Sequence, residues 1–187
     1  FELLKAACLK NNITMMVVGP EEPLVNGIYD DFKNDTNTKH IHVIGPSKNA
    51  AQLEGSKAFA KEFMLRHNIP TAAYKEFTNS NYAEGLEYIE NHSLPIVLKA
   101  DGLAAGKGVV VAMSPQEAHE AVDFMLLDNK LGVSHNAGGA RVVIEEFLDG
   151  EEASFIVMCD GKTVLPLATS QDHKRLQDAD HGPNTGG

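Results

Sequence analysis

The sequence predicts an α/β fold, and three observations support this class. Residues 13–18 form an apolar strand pattern, residues 24–32 a helical pattern and residues 42–44 a second strand, which is the order of a parallel βαβ unit. Residues 95–100 and 109–112 are β-branched runs around a glycine-rich loop, a pattern typical of a β-hairpin. A chain of 187 residues with 43% hydrophobic content can bury a sizeable core.

The remaining elements follow from apolar spacing and helix caps. Ser114, Pro115 and Glu117 are an N-cap, a first-turn proline and a capping-box acid, so they begin a helix that runs to about residue 127. Other patterns predict helices at 1–9, 50–67 and 81–91, strands at 72–77 and 141–148, and antiparallel strands at 151–158 and 164–168.

Charge and cysteine content restrict the class of partner. A formal net charge of −10 disfavours nucleic acid and anionic membranes, because both would be repelled over most of the surface. Cys8 and Cys159 each lie in an apolar run, which favours buried free thiols in a reducing compartment. There is no membrane-length apolar stretch and no signal sequence, so we expect a cytoplasmic location.

The hairpin loop has the chemistry of a phosphate site. Gly102, Gly106 and Gly108 leave backbone N–H groups free to face an anion, and Lys99 and Lys107 add positive charge. A P-loop has four residues between its first glycine and the Gly-Lys pair, whereas only three separate Gly102 from Gly106-Lys107. Both the P-loop and the Rossmann fingerprint are followed by a helix, whereas a strand follows here, so neither motif fits. The pattern favours a flap over nucleotide phosphates, as in kinase-like and ATP-grasp enzymes; the alternative is a flexible hairpin with solvated lysines.

Six segments together match the pattern of one known family: residues 18–24, 52–57, 99–108, 145–154, 170–175 and 182–187. They resemble the phosphoribosylamine-glycine ligases, which are ATP-grasp enzymes of purine biosynthesis. The flap alone would indicate only the ATP-grasp superfamily, whereas the last two segments together are specific to this ligase. The resemblance implies a partial ATP-grasp fold preceded by part of a parallel-sheet βαβ domain. The implied domains are residues 1–70, a lid at 71–142, and the start of a larger subdomain at 143–187.

The resemblance also implies an ATP site. In it, two lysines reach the phosphates, the flap covers them, the hinge meets the adenine, and Glu152, favoured over Glu151, accepts from the ribose. The implied residues are Lys57, Lys99, Gly102, Gly106, Lys107, Gly108, Glu145, Glu146, Phe147, Leu148 and Glu152. A lysine within the apolar run 96–100 is costly to bury unpaired, and a phosphate would be its partner.

A second implied group meets the glycine and sugar-phosphate substrates. On composition alone, residues 172–175 would be an exposed charged loop; within the family they contact the acyl phosphate and the sugar phosphate. The guanidinium of Arg175 can donate two parallel hydrogen bonds to these oxygens. Arg175 and Lys99 are the expected catalytic residues. Glu22 follows a strand of the βαβ unit and is expected on the phosphoribosylamine side, although an acid near a helix start also suits the helix dipole. The implied substrate residues are Glu22, Asp172, His173, Lys174, Arg175, Pro183, Asn184, Thr185 and Gly186.

The implied reaction joins glycine to 5-phosphoribosylamine at the expense of ATP, with Mg²⁺ or Mn²⁺ whose ligands are expected outside this chain. The partners are therefore these small molecules, with neither nucleic acid nor membrane. The chain starts at Phe1 without methionine and stops in a loop, so we expect an excerpt that does not turn over by itself. Three alternatives stay open: another ATP-grasp carboxylate-amine ligase or carboxylase, a non-catalytic nucleotide-binding module, and a structural βαβ piece without ligand.

Overall fold

The computed structural model describes residues 1–102, 108–128, 139–171, 173, 175–178 and 181–184. Two compact units divide the chain, residues 1–147 and residues 148–187. None of the described helices is both long and apolar enough to cross a membrane.

The first unit begins with two short parallel strands and the helices around them. Its elements are α1 (Glu2–Lys10), β1 (Met15–Val17), α2 (Glu21–Val25), α3 (Ile28–Asn34), β2 (His42–Ile44), α4 (Gln52–Gly55) and α5 (Lys57–Arg66). β1 pairs with β2 in parallel, which confirms the predicted βαβ order. A core of Cys8, Ile28, Phe32, Ile41 and Val43 lies between the helices and the strands. Met15 and Val17 are exposed and Met16 is partly buried, so β1 is covered on one face only, although a continuous apolar run is typical of a strand buried on both faces.

Two helices predicted as continuous are broken. The pattern at 24–32 divides into α2 and α3, because Gly27 adopts a positive φ of 90°, a conformation that favours glycine. The pattern at 50–67 divides at Ser56, whose backbone is extended and whose hydroxyl accepts from the backbone N–H of Phe59. Ser56 is therefore the N-cap of α5, and Lys57 is the first residue of that helix.

A four-stranded antiparallel sheet forms the rest of the first unit. Its elements are β3 (Tyr74–Thr78), a 3₁₀ turn (Asn79–Asn81), α6 (Tyr82–Glu90), β4 (Ile96–Ala100), β5 (Val109–Ala112), α7 (Pro115–Asp123), a π-helical turn (Phe124–Asp128) and β6 (Arg141–Glu146). The strand order is β3-β6-β4-β5, and β4 and β5 form the predicted hairpin.

One face of this sheet is closed by apolar packing. Ile96, Leu98, Val142 and Ile144 are fully buried and pack with apolar residues of α6 and α7. The Ser114 hydroxyl accepts from the backbone N–H of Glu117, so the predicted cap of α7 is present. Because side chains alternate along a strand, the intervening residues of β4 and β6 lie on the opposite face.

The second unit contains two short antiparallel pairs. β7 (Val157–Cys159) pairs with β8 (Val164–Pro166), and β9 (Arg175–Gln177) pairs with β10 (His181–Asn184). The first pair confirms the antiparallel prediction, although β7 is shorter than expected, while β9 and β10 were not predicted at all. Cys159 is exposed, so the expectation of two buried thiols holds only for Cys8.

Candidate functional site

The open face of the four-stranded sheet carries a group of charged side chains. Lys57 and Lys61 come from α5, Lys99 from β4 and Glu145 from β6, and Asp101 follows β4 directly. Glu145, Asp101 and Lys61 are almost fully buried, whereas Lys57 and Lys99 are half-buried. The group lies at the base of the hairpin loop that the sequence predicts to bind phosphate.

Asp101 connects the hairpin base to the start of α5. Its carboxylate accepts from the backbone N–H groups of Lys57 at 2.7 Å and Ala58 at 3.3 Å, and from the Ser56 hydroxyl at 3.2 Å. Its own backbone N–H donates to the carbonyl of Arg141 at 2.9 Å. A carboxylate at the first turn satisfies N–H groups that have no partner within the helix, so Asp101 holds α5 against the strand.

Lys57 reaches the hairpin directly. Its ammonium donates to the carbonyl of Gly102 at 2.9 Å. Gly102 lies three residues after Lys99 in the chain. Burial lowers the pKa of Lys57, although the negative charges of Asp101 and Glu54 oppose the shift. A buried ammonium with an unfavourable solvation energy is stabilised by any anion that enters the site.

Glu145 is shared by two lysines. Its Oε2 lies 2.8 Å from the Lys99 ammonium and its Oε1 lies 3.3 Å from the Lys61 ammonium. Lys61 also donates to the Thr71 hydroxyl at 2.8 Å and to the Ala72 carbonyl at 3.0 Å. Burial lowers the pKa of Lys61, and Glu145 partly opposes that shift.

An apolar strip runs beside these charges. Lys99 is in register with Val109 of β5, and Glu145 is in register with Val97, which itself pairs with Val111. Val109 and Val111 are 45% and 41% exposed. An apolar strip next to ammonium groups suits a ligand with a flat apolar part and an anionic part.

The predicted hinge residues after Glu145 differ in their contacts and exposure. The carboxylate of Glu146 accepts from the backbone N–H of Ala73 at 2.9 Å, and its own N–H donates to the Ala73 carbonyl at 2.9 Å. Phe147 and Leu148 are exposed, the latter being the first residue of the second unit. Glu146 is thus engaged with the backbone before β3.

Other predicted residues are scattered or lie outside the described part. Gly102 and Gly108 are buried at the two ends of the loop, and Glu22 is exposed at the start of α2. Glu152 and His173 are exposed in the second unit. Arg175 is in β9, and Pro183 and Asn184 are in β10, where the structure describes the backbone alone. Gly106, Lys107, Asp172, Lys174, Thr185 and Gly186 lie outside the described residues.

The sequence reasoning missed Lys61 and Asp101. Lys61 lies four residues after Lys57, so both are on one face of α5, and that spacing was an available signal. Asp101 stands between Lys99 and Gly102, but its partners are 43–45 residues away in the chain, so no local pattern indicated its function.

Comparison with known protein families shows which family this chain belongs to. A family model described as the ATP-grasp (A) domain of phosphoribosylglycinamide synthetase matches residues 55–187, and the model of the N domain matches residues 1–54. The chain belongs to the phosphoribosylglycinamide synthetase family. It therefore has part of the ATP-grasp fold, preceded by the parallel βαβ segment.

Relatives of this synthetase family are close in sequence. A phosphoribosylamine-glycine ligase of Neisseria meningitidis is 61% identical over 180 residues, covering 96% of this chain and 40% of the relative. One of Ralstonia nicotianae is 59% identical over 186 residues, covering 100% of this chain and 42% of the relative. The crystal structure of the Thermotoga maritima ligase matches with a TM-score of 0.71 and 36% identity, over 90% of this chain and 39% of that one. The chain spans about 40% of the length of the curated relatives that it matches.

Proposed function

We propose that the full-length protein, meaning this chain continued to the length of its relatives, is a cytoplasmic phosphoribosylamine-glycine ligase of purine biosynthesis. The observation that carries the proposal is the group formed by Lys57, Lys99 and Glu145 at the base of a glycine-rich hairpin. The names of the relatives that match almost the whole chain support the same activity.

In this proposal the open face of the sheet binds ATP. The ammonium groups of Lys57 and Lys99 meet the phosphates, because both are half-buried at the loop that joins β4 to β5. The flap residues Gly102, Gly106, Lys107 and Gly108 cover those phosphates. The strip of Val97, Val109 and Val111 packs against one face of the adenine.

The proposal also includes the contacts that the family resemblance implies for other residues. Glu145, Glu146, Phe147 and Leu148 meet the edge of the adenine, and Glu152 accepts from the ribose hydroxyls. Glu22 serves the phosphoribosylamine. The remaining substrate residues are Asp172, His173, Lys174, Arg175, Pro183, Asn184, Thr185 and Gly186.

The proposed chemistry has two steps. A carboxylate oxygen of glycine attacks the γ-phosphorus of ATP, which forms glycyl phosphate and releases ADP. The amine of 5-phosphoribosylamine then attacks the carbonyl carbon, inorganic phosphate leaves, and the nitrogen loses a proton to give the amide. Lys99 and Arg175 neutralise charge on the transferring phosphoryl group, so the protein acts by positioning and electrostatics and needs no nucleophilic side chain.

A divalent cation, Mg²⁺ or Mn²⁺, accompanies ATP in the proposed reaction. Within the described part of the chain, there is no group of three or more His, Cys, Asp and Glu side chains that could hold a metal ion. These residues therefore do not fit a metal site, and no step above is assigned to metal bound by them.

We also propose the division into residues 1–70, 71–142 and 143–187 as the domain organisation.

The test combines binding and turnover. Calorimetry with ATP and Mg²⁺ on the 187-residue chain and on the full-length protein measures nucleotide affinity. A coupled assay of the full-length protein measures ADP release with and without glycine and 5-phosphoribosylamine. We expect continued ADP release, beyond a single turnover, only when both substrates are present. Release that depends on a different carboxylate or amine indicates another ATP-grasp ligase, and binding without any turnover indicates a nucleotide-binding module.

A further inference from the structure

Lys61 is a buried lysine that the proposed reaction does not use. It lies on α5, one turn after Lys57, and is only 6% exposed. Its ammonium has three acceptors within 3.3 Å: Glu145, the Thr71 hydroxyl and the Ala72 carbonyl. An ammonium has three N–H donors, so all of them are engaged by protein atoms. Lys61 cannot contact a ligand without breaking one of these bonds, and any effect on binding must pass through a neighbour.

That neighbour is the Glu145 carboxylate. Its two oxygens are divided between the lysines, with Oε1 facing Lys61 and Oε2 facing Lys99. The Lys61 side chain is 8% exposed and the Lys99 side chain is 30% exposed, so of these two lysines Lys99 has the greater access to the open face. The buried carboxylate therefore has one fixed counterion and one that can turn toward a ligand.

We propose that Lys61 is a positioning residue for nucleotide binding, because it remains the counterion of Glu145 when Lys99 moves from Glu145 to the phosphates of ATP. The proposal rests on the proposed function. A buried carboxylate that loses its only counterion is strongly destabilised, whereas one that keeps a second ammonium is not. With Lys61 in place, Lys99 can leave Glu145 at low cost. Without it, ATP competes with Glu145 for the same ammonium.

The first test removes the charge of Lys61. In the full-length protein, Lys61→Met should weaken binding of ATP with Mg²⁺, measured by calorimetry, by about tenfold or more. Lys61→Arg keeps the charge and should recover most of that loss. The matched control is Lys75→Met, since Lys75 is exposed on β3 and its ammonium lies near the rings of Phe77 and Tyr88, on the face of the sheet opposite to Glu145. This control should leave the dissociation constant unchanged within about twofold.

The second test asks whether the effect passes through Glu145. In a Glu145→Gln background no carboxylate competes for Lys99, so adding Lys61→Met should change ATP affinity less than about twofold. An equal loss of affinity in both backgrounds overturns the proposal, because Lys61 would then act independently of Glu145. A Lys61→Met protein that is less stable but binds ATP normally also overturns it, since the role of Lys61 would be structural alone.

A milder variant is available if Lys61→Met does not fold. Lys61→Gln removes the charge, while its amide N–H groups can still donate to the Thr71 hydroxyl and the Ala72 carbonyl, and it should weaken ATP binding severalfold only when Glu145 is present. An unchanged affinity overturns the proposal. Absence of ATP binding by the unmodified protein is a different result, because it overturns the proposed function and the inference with it.

Discussion

Two buried lysines in the first unit have opposite electrostatic surroundings. Lys5 is 7% exposed and its ammonium lies 2.8–3.3 Å from three carboxylates, those of Asp31, Asp35 and Glu2. Lys61 is equally buried, but the one carboxylate beside it, Glu145, is shared with Lys99. Three anions surround one cation in the first case, and two cations surround one anion in the second. The second group has the excess of positive charge that the proposed phosphate site requires, although the whole chain is acidic.

The pKa values follow the same division. The hydrogen bond to Asp31 is the largest cause of a raised pKa at Lys5, with further contributions from Asp35 and Glu2. Burial is the largest cause of the lowered pKa at Lys57 and Lys61. Lys5 is thus stabilised as a cation by the protein alone, whereas the site lysines gain further stabilisation from a bound anion.

The largest expected effect comes from removing the shared carboxylate. Glu145→Gln should lower the free energy of unfolding by about 3 kcal/mol, because it leaves two ammonium groups without their common counterion. Asp31→Asn should cost less, since Asp35 and Glu2 remain beside Lys5. Urea unfolding of both variants measures the difference. Equal losses would contradict the contrast between the two groups.

Lys99→Met should weaken ATP binding by about 10–100-fold, because the variant loses a hydrogen bond to a charged group. The melting temperature without nucleotide should change little, because Glu145 keeps Lys61 as a counterion. Lys5→Met should do the reverse, lowering the melting temperature while ATP affinity stays unchanged. Calorimetry and thermal unfolding separate the two results. A large loss of melting temperature in Lys99→Met would show that Lys99 is structural.

The smallest effect concerns pH. An unfolded lysine titrates near 10.5, and the folded pKa of Lys61 is lower, so between these values the unfolded chain binds more protons. The contribution of Lys61 to stability should therefore rise with pH in that window, by at most about 1.4 kcal/mol per pH unit. Lys5 has a raised folded pKa, so its contribution is complete below 10.5 and is lost as pH rises above it. Urea unfolding of Lys61→Met between about pH 8 and 10.5 tests the first sign, and that of Lys5→Met between about pH 10 and 12 tests the second. A difference from the unmodified chain that stays constant across its range would contradict the corresponding sign.

Local signals in the sequence predicted the elements that have their own start and stop residues. The Ser114 cap of α7 and the β4–β5 hairpin are present, and the parallel pairing of β1 with β2 is confirmed. Apolar spacing alone failed at Gly27 and Ser56, because a helical period continues through a residue whose backbone leaves the helix. It also missed β9 and β10, which are too short and too polar to give a recognisable strand pattern.

The candidate site was predictable in part. Glycines and lysines clustered in one loop predict a phosphate site, which stays a prediction, and the comparisons confirm the resemblance to the ATP-grasp family. The partner of Lys99 was expected to be a phosphate, whereas in the structure it is Glu145. The roles assigned to residues 172–186 stay predictions, because the structure does not describe their side chains apart from those of residues 173 and 176–178.

The sequence by itself determined the α/β class, the family and the loop that carries glycine and positive charge, because each depends on residues adjacent in the chain. Only the tertiary structure decided how the charges are paired. Asp101 meets the start of α5 across 43–45 residues, and Glu145 joins Lys61 of α5 to Lys99 of β4. The physical reason is that a buried charge requires a partner, and which partner it finds depends on the packing of α5 against the sheet.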